Sequence, residues 1–153
     1  MRGRYKRKIA GFTPRAARLI LERYVEAIDF RPMLGYGGIK ISEKTFRFII
    51  YISNNPHGGR WSEREQQKKT FFHELIHLFC CLMVTHVSEE SIETETENFC
   101  QQHPDFCENI FSWIEKNRKE GSTEDNPLKL ECGDYILQIC EINQGLFTGI
   151  AEQ

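Results

Sequence analysis

Between Phe71 and Val84 the chain is apolar nearly all round, and His73-Glu74-Leu75-Ile76-His77 interrupts that run near its start. A helix that is hydrophobic on every side is buried from several directions, so the fold must wrap this one. It must also find partners for two imidazoles and a carboxylate, because an unsatisfied buried polar group costs about 1–3 kcal/mol. Positions four apart stack on one helical face, so His73 and His77 can both reach one ion at about 2.0–2.1 Å. Glu74 lies about 100° round the helix, badly placed to join the same coordination shell and well placed to reach a water on the metal. This His-Glu-x-x-His spacing divides the labour between two ligands and one base, which points to zinc-dependent hydrolysis.

The rest of the chain supplies elements to cover that helix. Thr13-Pro14 reads as an N-cap followed by proline at the first helical position. Ala16, Leu19, Ile20, Tyr24 and Ala27 then recur at helical spacing, which predicts a helix over 14–28. Pro32 and the glycines at 35, 37 and 38 break it. Ile39–Ile41 and Phe46–Ile52 are rich in strand formers and are expected to pair across residues 42–45. Ser62 with Glu65 matches a capping box, so the motif helix is expected from there to about Thr85. Further helices are expected over 89–102 and from Pro104 to Lys119, with a hairpin or helix between Leu128 and Ile142 after a polar linker. Together these give an α+β fold: a small antiparallel sheet packed on a central helix, with other helices around it.

At 153 residues the chain suits one domain, and 40% hydrophobic with 27% charged residues is ordinary for a globular protein. The net charge of -2 hides an asymmetry. Arg2, Arg4, Lys6, Arg7 and Lys8 crowd the first eight residues and leave the remainder at about −7. Residues 1–12 therefore read as a basic arm, solvated rather than bound to nucleic acid, and 13–153 as the single domain. No apolar run approaches the ~18–20 residues that span a bilayer, and Ile9–Phe12 is too short for an export signal. The six cysteines, none in a Cys-x-x-Cys pair, read as reduced thiols of a cytoplasmic protein.

A zinc hydrolase needs a third protein ligand. Glu93, Glu95 and Glu97 alternate on the helix after the motif; 93 and 97 share a face and 95 points elsewhere. With Ile92 and Phe99 marking the buried side, Glu95 lies towards it. The competing reading makes all five acids between 89 and 97 a charged outer face. Cys80 and Cys81, seven and four residues beyond His73 and His77, lie near the ligand face; as thiolate ligands they would favour a closed structural site, and as packing residues they need no metal. His57, in a glycine-rich loop, and Tyr36 and Tyr51 are weaker candidates for contacting substrate. His86 and His103 have no partner spacing.

Phe72-His73-Glu74-Leu75-Ile76-His77-Leu78, with Glu95-Thr96-Glu97-Asn98-Phe99-Cys100 downstream, resembles the ImmA/IrrE group of zinc metallopeptidases, which is related to gluzincin-type proteases. Members commonly show a His-Glu-Leu-x-His helix and then a helix carrying Glu-Ala-x-x-Phe-Ala, whose first glutamate is the third ligand. The likeness covers roughly residues 39–100. Ile76 stands where the family usually has glycine, and Thr96 and Cys100 stand where it has alanine. Matched position by position, the resemblance implies a zincin-like domain holding one zinc ion by His73, His77 and Glu95. It implies an endopeptidase that cleaves a protein or peptide substrate, with Glu74 activating the metal-bound water. In the resembled proteases a strand sits above the motif helix, which gives strand 46–52 the role of an edge that an extended substrate joins. Some members cleave transcriptional repressors, so a separate repressor protein is one candidate substrate. A second reading keeps the metal without the chemistry: a non-catalytic zinc-binding interaction or regulatory module, which the basic arm could associate with nucleic acid.

Overall fold

Thr13 and Pro14 begin the first helix as their chemistry requires. The Thr13 hydroxyl accepts the Ala16 N–H at 3.1 Å, and Pro14 takes the position where a missing donor costs nothing. This helix, α1, spans Pro14–Arg23. The Tyr24 N–H still closes on the Ile20 carbonyl at 2.8 Å, but the Tyr24 carbonyl accepts the Phe48 N–H at 2.7 Å, which diverts the chain into a sheet. The expected helix over 14–28 is corrected accordingly: Val25–Arg31 is a strand, β1. Five of its seven residues are buried, without alternation, so nothing in its pattern marked it as a strand.

This computed structural model describes residue 9 and residues 11–54, 63–118 and 128–129. β2 (Gly37–Ile41) and β3 (Phe48–Ser53) form the expected antiparallel pair, in register from Gly37 opposite Ile52 to Ile41 opposite Phe48. β3 then lies parallel to β1, with Ile28 opposite Ile50 and Phe30 opposite Ile52. Leu128–Lys129, β4, pairs antiparallel with β1; the rest of the region expected as a hairpin up to Ile142 lies outside the described residues. The strand order is β2-β3-β1-β4. The sheet is therefore mixed and not antiparallel. Strand 46–52 is not an edge either: β3 is hydrogen-bonded on both sides, and β2 forms the border.

The remaining helices fall close to expectation: α2 at Glu63–Leu82, α3 at Glu89–Gln102 and α4 at Pro104–Arg118. α2 stops short of Thr85 through a C-terminal motif. The Thr85 N–H reaches the Cys80 carbonyl at 2.9 Å and the Val84 N–H the Cys81 carbonyl at 3.1 Å, with Val84 left-handed at φ 51°. Phe71, Phe72, Leu75, Ile76 and Leu78 of α2 are all buried. Phe72 meets Phe99 of α3 at 5.8 Å and Phe106 of α4 at 6.4 Å between ring centroids, while Phe71 meets Phe111 of α4 at 6.5 Å. On the opposite side α2 presses on β2 so closely that a Cβ on Gly37 would stand 2.4 Å from Thr70 Cγ2 and 2.7 Å from the Tyr51 carbonyl oxygen. Among the described residues no helix is long and apolar enough to cross a membrane.

The N-terminal end of α2 is clamped to α4 by charge. Arg64 donates to both Glu108 oxygens, at 2.6 and 3.1 Å, and to Glu115 at 2.7 Å. Hydrogen bonds from Arg64, and then from Ser112 and Lys68, outweigh partial burial and hold the Glu108 carboxyl down at about 2 against an ordinary 4.5.

Two predictions follow from this packing. Gly37→Ala should destabilise the fold by about 1–3 kcal/mol in urea unfolding, as overpacking does. Adding Thr70→Ser should recover only part of the loss, because the Tyr51 carbonyl remains in the way. The Glu108 pair stabilises fully above about pH 4.5 and its contribution is lost as pH falls through about 2. Glu108→Gln should therefore lower stability at pH 6, and the gap from the parent should narrow by pH 3; the half-exposed carboxylate keeps the effect modest.

Candidate metal centre

One turn of α2 separates His73 from His77, and their rings stand 4.8 Å apart on the side facing α3. A six-residue connection, 83–88, returns the chain antiparallel to α2. Ser88 caps α3 by accepting the Ser91 N–H at 3.1 Å, which fixes Glu89 as the first helical residue. From there the Glu89 carboxylate reaches both histidines. Its Oε1 lies 2.6 Å from His73 Nε2, and its two oxygens lie 3.2 and 3.1 Å from His77 Nε2. Partial burial opposes ionisation of Glu89, but hydrogen bonds to His77 and His73 prevail and hold its carboxyl below the usual range.

Two imidazole nitrogens and one carboxylate oxygen thus converge within 4.8 Å of one another. Ligands bonded to zinc at about 2.0–2.1 Å in a tetrahedron stand about 3.3 Å apart, so small side-chain rotations would fit this set to such an ion. His73 has a second carboxylate at its other nitrogen, Glu93 Oε1 at 3.4 Å from Nδ1. Carboxylates in that position orient metal-binding histidines and raise their basicity.

Glu95, the ligand implied by resemblance, is not brought to the pair. It is half-buried as expected, and Ile92 and Phe99 do mark the core side of α3. Yet Glu95 lies about 200° round the helix from Glu93, and its charge is felt instead at Cys80. Glu97 is bound to Lys69 at 2.9 Å. Sequence reasoning missed Glu89 because an acid in a helix's first turn already has a reason to be there in the helix dipole. The signal was in the register: a short turn between antiparallel helices sets Glu89 against His77, Glu93 against His73 and Glu97 against Lys69.

Glu74 faces the other way, towards β2. It is buried, its Cγ lies 3.5 Å from where a Gly37 Cβ would sit, and burial pushes its carboxyl pKa up against the opposing pull of His73 and His77. Together with His77 it borders a cleft of about 350 Å³ whose other walls are Ile39, Phe48, Leu78 and Cys81. Cys80 stays in the core while Cys81 is exposed at the cleft, and neither belongs to the converging group. Tyr36 is exposed just before β2, Tyr51 lies under the Arg31 guanidinium, and His57 lies outside the described residues. His86 sits in the connection to α3 and His103 forms its C-cap.

Searches against protein-family models, curated proteins and solved structures return no match to this chain.

The placement of the two acids predicts different outcomes on divalent-ion binding. Glu89→Ala should abolish retention of zinc through gel filtration, measured by elemental analysis, and Glu95→Ala should leave it unchanged.

Proposed function

We propose that this chain is a zinc-dependent endopeptidase, similar in working plan to the ImmA/IrrE group, with His73, His77 and Glu89 holding one zinc ion. The observation that carries the proposal is the convergence of those three donors, one of which, His77, also lines the cleft that Glu74 borders. A structural metal site would have little use for a buried carboxylate with no place among the ligands, on the cleft side of the same helix.

Zinc, when bound, lowers the pKa of its water from about 15.7 towards 7 and polarises the scissile carbonyl. The residues of the chain divide the remaining work. Glu74 accepts the proton of the attacking water on a carboxylate oxygen and passes it to the leaving amine, the exchange that general acid–base catalysis requires. Its burial favours the first step, since a carboxylate whose pKa is raised is a stronger base than a solvated one. Glu93 steadies the His73 ring through Nδ1. Among the described residues β2 borders the sheet, with Lys40 and Ile41 exposed, and that edge suits an extended substrate joining as a strand. Ile39, Phe48 and Leu78 give the cleft apolar walls, which suit an apolar substrate side chain beside the scissile bond. A protein substrate such as a transcriptional repressor, in the cytoplasm, agrees with the resemblance.

The test is Glu74→Gln. It should retain zinc at the parental level while peptide cleavage falls by about 10²–10⁴, the usual worth of a positioned acid–base group. Retention of zinc with no cleavage by either the parent or the variant, across a library of unfolded protein substrates, would instead favour the non-catalytic binding module.

A further inference from the structure

α2 and β2 touch at one end of the cleft beside Glu74 and part towards the other. At the closed end a Cβ on Gly37 would stand 2.4 Å from Thr70 Cγ2 and 3.5 Å from Glu74 Cγ. Two residues on, Ile39 already lines open space with Leu78. Side chains two apart in a strand share a face, so Ile41 follows Ile39 on the α2 side, about 6.7 Å further along. Ile41 is exposed, and it pairs with Phe48, another wall of the cleft. The apolar lining therefore continues along β2 beyond the cleft itself.

Near its wall residues the chain also holds two exposed apolar side chains in an unfavourable backbone conformation. Phe46, two residues before Phe48, is 75% exposed with φ 60°, and Val84, three residues after Cys81, is 92% exposed with φ 51°. Among the described residues these are the non-glycine positions with positive φ. Local hydrogen bonds create both. The Phe46 N–H donates to the Ser42 carbonyl at 2.8 Å in the β2–β3 turn, and the Val84 N–H donates to the Cys81 carbonyl at 3.1 Å at the end of α2. Glycine or asparagine fits such positions with little strain, and a β-branched residue fits them worst. Burial does not offset the strain at either. Strained backbone that carries an exposed apolar side chain is characteristic of binding surfaces.

The geometry points to a docking surface, formed by Ile41, Phe46 and Val84, for an extended polypeptide that alternates apolar and acidic residues. A segment joining the border of β2 as a strand places every second side chain on the α2 side of the sheet. One of these enters the cleft beside Ile39, and the next on that side meets Ile41 and the exposed side chains of Phe46 and Val84. The intervening side chains point to the opposite face, where Lys40 is exposed. An acidic residue is complementary there, because opposite charges on neighbouring strands attract and like charges repel. As a statement of substrate class this rests on the peptidase reading above, whereas the binding it describes does not require cleavage.

Fluorescence anisotropy with the full-length Glu74→Gln chain and one equivalent of zinc provides the test. One labelled peptide carries Leu-Glu-Leu-Glu-Leu between glycine-serine flanks, and a second carries the same residues with the three leucines adjacent. The alternating peptide should bind about tenfold tighter, the worth of one further leucine against an apolar surface. Phe46→Gly and Val84→Gly, each added to that chain, should weaken its binding several-fold while the melting temperature stays within about 3 °C or rises, because glycine relieves the backbone. Leu34→Gly, which removes a fully exposed leucine outside the proposed surface, should leave binding as it was. Equal affinity for the two peptides, binding of neither, or parental affinity in both glycine variants would overturn the docking surface. So would a fall in melting temperature that accounts for their loss of binding. Tight binding of the alternating peptide by a chain that cleaves no polypeptide would sink the peptidase reading and leave this surface standing. Cleavage by the parent without these preferences would do the reverse.

Discussion

Everything in this architecture answers to one buried helix that carries charge. α2 is enclosed by β2 and β3 on one side and by the phenylalanines of α3 and α4 on another, and that enclosure keeps His73, Glu74 and His77 from meeting bulk water freely. The molecule resolves the conflict by sending them in two directions. The histidines turn to the first residue of α3, and Glu74 turns to the sheet and its cleft. Separation of this kind is what lets neighbouring residues in the chain take different roles, because each meets a different electrostatic environment. Glu89, tied to two imidazoles, is held ionised, while Glu74, wrapped by hydrocarbon, is pushed towards its neutral form.

Much of the scaffold was legible because its signals are local. Thr13 with Pro14, Ser88 ahead of Glu89, and His103 with Pro104 each set a helix boundary within a residue or two of expectation. The β2–β3 pair was legible from its strand formers. Val25–Arg31 was not, since an interior parallel strand buried on both faces shows no period of two, and Tyr24 and Ala27 happen to continue the spacing of α1. That one misreading hid the parallel pairing, and with it the fact that β2 and not β3 borders the sheet.

The candidate metal centre divides in the same way. His73, Glu74 and His77 are fixed by spacing along one helix and could be read directly. The carboxylate that joins them depends on how two helices align, which is a property of the connection between them rather than of either segment. Glu95 was matched through the motif of other proteins, whereas the place of Glu89 beside the histidines is set by the six residues between Leu82 and Glu89.

The acids of α3 repeat at every fourth position, 89, 93 and 97, opposite a row of His77, His73 and Lys69. Such a ruler has equivalent marks. A slide of α3 by a single turn, about 5.4 Å, would deliver Glu93 to the place Glu89 now holds. What opposes the slip is asymmetric: it would strand Lys69 without Glu97 and drag Ile92 and Phe99 out of their sockets. The lysine and the two apolar anchors thereby act as the index that decides which glutamate the histidines see.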